Sequence, residues 1–144
     1  MKIYSHILIA TDLSDKCKII GDQAFALANK YGATLSIVHV VEFSPVIYGG
    51  EYALPLEYDI EEAVEKQARE KLEQQAKNWD IQNSNCFVEK GSTVEGLYNL
   101  VHDKQVDLLV IGNHHYTGLS FLLGSTANTL FHKMPCDILA TRID

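Results

Sequence analysis

The sequence lacks long apolar runs, paired cysteines and clustered positive charge. None of its apolar stretches approaches the roughly 20 residues that cross a bilayer as a helix, so no membrane partner is expected. The three cysteines, Cys17, Cys86 and Cys136, are far apart and odd in number, and no Cys-x-x-Cys occurs. That argues against a disulfide framework, a zinc site or a redox centre, and for reduced, mostly buried thiols of a cytosolic protein. Lys and Arg form no run, and the formal net charge is −7. A nucleic-acid partner is therefore not expected, because its phosphates need a positive stripe. The opening Met1-Lys2-Ile3-Tyr4-Ser5-His6 passes straight into a strand pattern, without the charge, apolar run and small-residue order of a signal peptide. The chain is expected to stay in the cytoplasm, where it is made.

Catalytic signatures are missing too. No Gly-x-Gly-x-x-Gly follows the first apolar strand, and no Walker-type Gly-Lys-Ser/Thr is present. There is no Gly-x-Ser-x-Gly nucleophile elbow. Nothing in the pattern argues for turnover.

What is present is an alternation of strands and helices in 144 residues, enough for one domain, 1–144, with one core. His6-Ile7-Leu8-Ile9-Ala10 is a short apolar strand, followed by the turn Thr11-Asp12-Leu13-Ser14-Asp15. Ser14 is the expected N-cap of a helix, with Asp15 in its first turn. Cys17, Ile20, Ala24, Leu27, Ala28 and Tyr31 recur at helical spacing until Gly32 stops them. Residues 34–41 read as a second strand. The irregular stretch 42–58 holds Pro45, Gly49, Gly50 and Pro55 together with Phe43, Tyr48, Tyr52 and Tyr58. It is either a functional loop or a cover in which those aromatics protect the sheet edge.

From Asp59 a long helix is expected, with Ile60, Val64, Ala68, Leu72, Ala76 and Trp79 on one face and charged residues on the others. Residues 85–90 read as a third strand. Gly91-Ser92-Thr93 then caps a helix whose inner side is Val94, Leu97, Tyr98 and Val101. A fourth strand at 107–111, a helix at 125–133 ended by Pro135, and a last strand at 137–142 complete the pattern. Apolar strands alternating with helices imply an open α/β parallel sheet with helices on both faces. Ligands of such sheets sit beyond the C-terminal strand ends, where the strand order reverses.

Two segments leave strand ends with unusual chemistry. After the fourth strand come Gly112, His114, His115, Gly118 and Gly124-Ser125-Thr126. A helix start there offers backbone N–H groups and hydroxyls to a phosphate, or Ser and Thr simply cap the helix. After the first strand, Asp12 either accepts hydrogen bonds from ribose hydroxyls, or from the water of a phosphate-borne metal ion, or closes a local Asx-turn. His114-His115 is a poor metal pair, since adjacent residues rarely share one ion and no other ligand lies at the right spacing. That leaves His115 as a phosphate donor, or the pair as part of a solvent-facing loop. His6, His39, His102 and His132 are assigned no chemistry.

Together these residues resemble the universal stress protein family over almost the full chain. The resemblance rests on His6-Ile7-Leu8-Ile9-Ala10-Thr11-Asp12-Leu13-Ser14, Leu35-Ser36-Ile37-Val38-His39-Val40 and Val106-Asp107-Leu108-Leu109-Val110-Ile111-Gly112. It extends through Gly124-Ser125-Thr126-Ala127-Asn128 and Cys136-Asp137-Ile138-Leu139-Ala140. It implies a five-stranded parallel sheet of order 3-2-1-4-5, of the adenine nucleotide alpha hydrolase-like kind, and a homodimer paired through the last strand, 137–142.

The resemblance further implies a dimeric stress-response regulator, acting through protein partners that the sequence does not name. An adenine nucleotide, AMP, ADP or ATP with or without Mg²⁺, would be held at the strand ends. Ala10, Thr11, Asp12 and Val40 would surround adenine and ribose. Gly112, Gly124, Ser125, Thr126 and Ala127 would hold phosphates. His115 stands where the nucleotide-binding branch has its second glycine. It implies weakened or altered binding that favours AMP or ADP over ATP. The His-His pair resembles the A-type branch, which implies the alternative of a dimer that holds no nucleotide and works only through protein partners.

Overall fold

In the computed structural model, residues 3–42, 54–113 and 125–143 are described, the side chains of 54–59, 113 and 125–127 excepted. Strands β1 (His6–Ala10), β2 (Thr34–Val41), β3 (Cys86–Lys90), β4 (Leu108–Asn113) and β5 (Asp137–Arg142) alternate with helices α1 (Cys17–Tyr31), α2 (Leu54–Ala76), α3 (Thr93–Asp103) and α4 (Ser125–Lys133). The five strands form one parallel sheet in the order β3-β2-β1-β4-β5. This is the expected doubly wound α/β architecture. Among the described residues no helix is long and apolar enough to cross a membrane.

Strand alternation sends successive side chains to opposite faces. Ile7, Ile9, Ile37, Leu108 and Val110 pack with Cys17, Ile20 and Ala24 of α1 and Leu72 and Ala76 of α2. Leu8, Ala10, Val38, Leu109 and Ile111 pack with Leu97, Leu100 and Val101 of α3 and Leu130 of α4. The near-continuous apolar strands are thus explained by burial on both sides.

Several boundaries differ from expectation. α2 begins at Leu54, ahead of Asp59, because Pro55 falls in the first turn, where a missing N–H costs no helical bond. Trp79 is not on α2 but closes a 3₁₀ turn, Lys77–Trp79, after which Asp80 is left-handed at φ 55°. β3 starts one residue late because 83–85 form a second 3₁₀ turn. Tyr98 is not on the inner side of α3. Thr93, Gly96, Leu97, Leu100 and Val101 make the buried stripe, and Tyr98, about 100° round the helix from Leu97, is 37% exposed.

Trp79 is 2% exposed and seated against α1. Its indole Nε1–H donates to Asp22 Oδ1 at 2.8 Å, and Lys18 Nζ donates to Asp22 Oδ2 at 2.7 Å. The Lys18 ammonium first, then the Trp79 N–H, holds the Asp22 carboxyl below the usual carboxylate range. A carboxyl lowered by folding adds stability that is complete above its unfolded pKa of about 3.9 and is lost as pH falls through the lower folded value. Asp22→Asn should therefore lower the melting temperature slightly at pH 7, by a difference that shrinks as pH falls below about 3.9. Melting curves across that range check it.

Candidate functional site

The strand order reverses at β1, which pairs with β2 on one side and β4 on the other. Beyond the C-terminal ends of β1 and β2, against the start of α3, lies a pocket of about 270 Å³. Ala10, Thr11, Asp12, Val38, His39, Val40, Val41, Glu42, Thr93 and Leu97 line it.

The pocket opens because β1 ends before β2 does. The last β1–β2 rung is the Thr11 N–H donating to the Val38 carbonyl at 2.9 Å. β2 continues to Val41 beside β3. Peptide groups on a strand alternate sides, so those of Val40, two residues after Val38, face the space that β1 vacates. α3 can approach this wall because Gly96 has no side chain: a Cβ there would stand 3.2 Å from Val40 Cγ2.

Thr11 is 3% exposed and its polar groups are committed. Its hydroxyl donates to Gln75 Oε1 at 2.7 Å and accepts the Leu13 N–H at 2.9 Å. Its carbonyl accepts from His39 Nδ1 at 2.9 Å. Because a carbonyl only accepts, Nδ1 carries a proton and Nε2 is the acceptor nitrogen of the neutral ring. Leu13 then takes the left-handed conformation, φ 71°, which costs a branched side chain about 1 kcal/mol.

Asp12 does close an Asx-turn. Its Oδ1 accepts the Ser14 N–H at 2.9 Å and the Cys17 Sγ–H at 2.9 Å. Burial first, then that bond to Asp12, pushes the Cys17 thiol up and keeps it a donor at neutral pH. Ser14 is not the N-cap of α1. The cap position is Lys16, with no side-chain bond, and the Ser14, Asp15 and Lys16 carbonyls accept 3₁₀-type bonds from Cys17, Lys18 and Ile19. The cap position thus falls two residues later than expected.

On the far wall the Glu42 carboxylate accepts both the Thr93 N–H at 2.8 Å and the Thr93 hydroxyl at 2.7 Å. It caps α3 together with Ser92, whose Oγ accepts the Glu95 N–H at 3.4 Å. The Ser92 cap was expected; the Glu42 contribution was not.

Of the expected site residues, Ala10, Thr11, Asp12 and Val40 meet in this pocket. Gly112 is not one of its lining residues. It lies inside β4, opposite Thr141 of β5. A Cβ at Gly112 would stand 2.8 Å from Ile143 Cδ1, the far end of a flexible side chain, and 3.6 Å from Ile20 Cγ2. Ser125, Thr126 and Ala127 form the first residues of α4, as expected, and only their backbone is described. His115 and Gly124 lie outside the described residues, as do His114, Gly118 and most of the irregular stretch at 43–53. His39, Glu42, Thr93 and Leu97 were not anticipated. Glu42 and Thr93 are 51 residues apart, and only the β3-β2 pairing and the crossover after it bring them together. His39 was legible in part, as a polar residue near the C-terminal end of a strand that opens on the switch point.

Comparison with known proteins agrees with this geometry. Residues 3–142 match the model of the universal stress protein family. The chain is similar to universal stress protein A homolog 1 of Coxiella burnetii, 37% identical over 137 residues and 95% of each chain. Among solved structures it resembles a universal stress protein in complex with cAMP, 24% identical with a TM-score of 0.63, over 99% of this chain and 100% of that one. It also resembles a universal stress protein from Lactobacillus plantarum, 20% identical with a TM-score of 0.67, again over 99% and 100%. The chain belongs to the universal stress protein family.

Proposed function

We propose that this protein binds an adenine nucleotide at the ends of β1 and β2 and acts as a dimeric, cytoplasmic regulator rather than as an enzyme. The observation that carries the reading is the pocket beyond the last β1–β2 rung, which Asp12 lines and which the Val40 peptide groups face. Peptide donors and acceptors suit the edge of a base, and a carboxylate suits ribose hydroxyls. Ala10, Leu97 and the Val40 side chain supply apolar faces for the ring. At about 270 Å³ the pocket falls just short of the usual range for a whole ligand, about 300–1,000 Å³. It fits base and sugar, with phosphates leaving toward α4.

Charge agrees with that division. The described lining includes Asp12 and Glu42 and no Lys or Arg, so this half of the site disfavours a phosphate and accepts a neutral nucleoside end. Ser125, Thr126 and Ala127, at the positive end of α4, are the proposed phosphate residues, with Gly112, His115 and Gly124 around them. A relative solved with cAMP supports an adenine ring in this fold. Dimerisation is assigned to β5, which among the described residues is an edge strand of the sheet. Ile138 and Leu139 are half-buried there.

The test is mass spectrometry of small molecules released by denaturing the purified protein. An adenine nucleotide in stoichiometric amount is the expected result. None released, together with no rise in melting temperature on adding AMP, ADP or ATP, would favour the A-type reading of a nucleotide-free dimer. That second reading draws support from His114-His115 and from the similarity to a universal stress protein A homolog. A phosphate-release assay with Mg²⁺ and ATP is expected to show no turnover above background.

A further inference from the structure

We infer that Gln75, on α2, is the positioning residue of the Asp12 loop, an inference that rests on the nucleotide reading above. Gln75 is not among the residues lining the pocket. It is half-buried and holds the β1–α1 loop at two points. Its Oε1 accepts the Thr11 hydroxyl at 2.7 Å, and its Nε2–H donates to the Ser14 carbonyl at 3.1 Å. The orientation of the amide follows from the chemistry. The Ser14 carbonyl only accepts, so the NH₂ must face it, and the oxygen is left for Thr11.

These two bonds bracket Asp12. Thr11 precedes it, and the same Thr11 hydroxyl that donates to Gln75 accepts the N–H of left-handed Leu13. Ser14 follows, and its N–H donates to Asp12 Oδ1. Gln75 thus fixes the hydroxyl rotor that supports the strained residue after Asp12 and the peptide that orients its carboxylate. Without Gln75 the Thr11 hydroxyl loses its acceptor, Leu13 is released toward an ordinary conformation, and the carboxylate loses its fixed direction. The ordering then has to be supplied when the ligand binds, which weakens affinity without removing any ligand contact.

The test uses the full chain with three variants: Gln75→Met, which keeps the shape and loses both polar ends, Thr11→Val, and the double variant. AMP is titrated by calorimetry at a temperature where melting curves show every variant folded. Amide exchange is followed at Leu13 and Ser14. The expected result is about tenfold weaker AMP binding for Gln75→Met, the size associated with losing one or two neutral hydrogen bonds. Leu13 exchange should be at least tenfold faster. Thr11→Val should act similarly, and the double variant should be little worse than either, because the two residues act as one unit. If wild type binds AMP and Gln75→Met binds it equally well, the positioning role is overturned and the nucleotide reading stands. If wild type binds none of AMP, ADP and ATP, both fall; if it takes only ADP or ATP, that nucleotide replaces AMP in the comparison. Unchanged Leu13 exchange in folded Gln75→Met would overturn the support of the loop by Gln75 on its own.

Discussion

Replacing Gly21 by alanine is expected to destabilise the protein by about 2–4 kcal/mol and lower its melting temperature by roughly 6–15 °C. Alanine normally stabilises a helix interior by up to about 1 kcal/mol relative to glycine, so the sign itself tests the packing. Gly21 lies in the second turn of α1, and an added Cβ would overlap Cζ2 of the Trp79 indole. The ring cannot yield cheaply. It is 2% exposed, is anchored by the bond to Asp22, and packs in the cluster that joins α1, α2 and β1. Either the indole leaves its slot, at a cost approaching that of deleting a buried aromatic, or α1 lifts from the sheet. Trp79 is the single tryptophan, so its fluorescence should shift to the red in the variant. Gly21→Ala combined with Trp79→Leu should recover part of the loss, as coupled neighbours do. A higher melting temperature for Gly21→Ala alone would mean that Trp79 does not occupy this slot in solution.

Gly21 also illustrates what the sequence leaves unread. A glycine inside an amphipathic pattern looks like a small local penalty, and nothing within α1 discloses that an aromatic 58 residues later requires it. The strands were legible because burial on both faces leaves continuous apolar runs, such as Ile7-Leu8-Ile9 and Leu108-Leu109-Val110-Ile111. The sheet order followed from the family resemblance. Tyr98 misled because residues spaced three and four apart can be centred on either of two neighbouring stripes. Val94, Leu97, Tyr98 and Val101 fit helical spacing, but Gly96 and Leu100 place the true centre one step away from Tyr98. At the site, Asp12 was visible as a residue and as an Asx-turn. Its partners Cys17 and Ser14 are local, yet the Gln75 and His39 bonds to Thr11 are made by side chains that lie next to it only after folding. Ser14 looked like a helix cap because a serine just ahead of an apolar-periodic run fits the capping rule, yet the cap position falls at Lys16.

Removing the Asp12 carboxylate is expected to abolish nucleotide stabilisation, and two substitutions separate ligand from fold. With ligand at a hundredfold excess over its dissociation constant, wild type should gain about 2.7 kcal/mol, or roughly 8–10 °C in melting temperature. Asp12→Ala deletes the acceptor of both the Ser14 N–H and the Cys17 thiol, the second of which is buried. The apo protein should then lose about 1–3 kcal/mol, since a buried donor is left without its partner. Asp12→Asn keeps an oxygen for the Ser14 N–H and removes only the charge and one acceptor face. Its apo melting temperature should stay much closer to wild type. For the ligand the order differs, because a carboxylate can accept from two ribose hydroxyls at once and a carboxamide offers one acceptor and one donor group. A hundredfold weaker complex at the same ligand concentration retains only about 0.4 kcal/mol of stabilisation, near 1 °C. Both variants should therefore lose nearly the whole ligand shift, while only Asp12→Ala loses substantial apo stability. A full shift in Asp12→Asn would show that the carboxylate serves only the Asx-turn, and would move the sugar contact to another lining group, of which the Glu42 carboxylate is the nearest in kind.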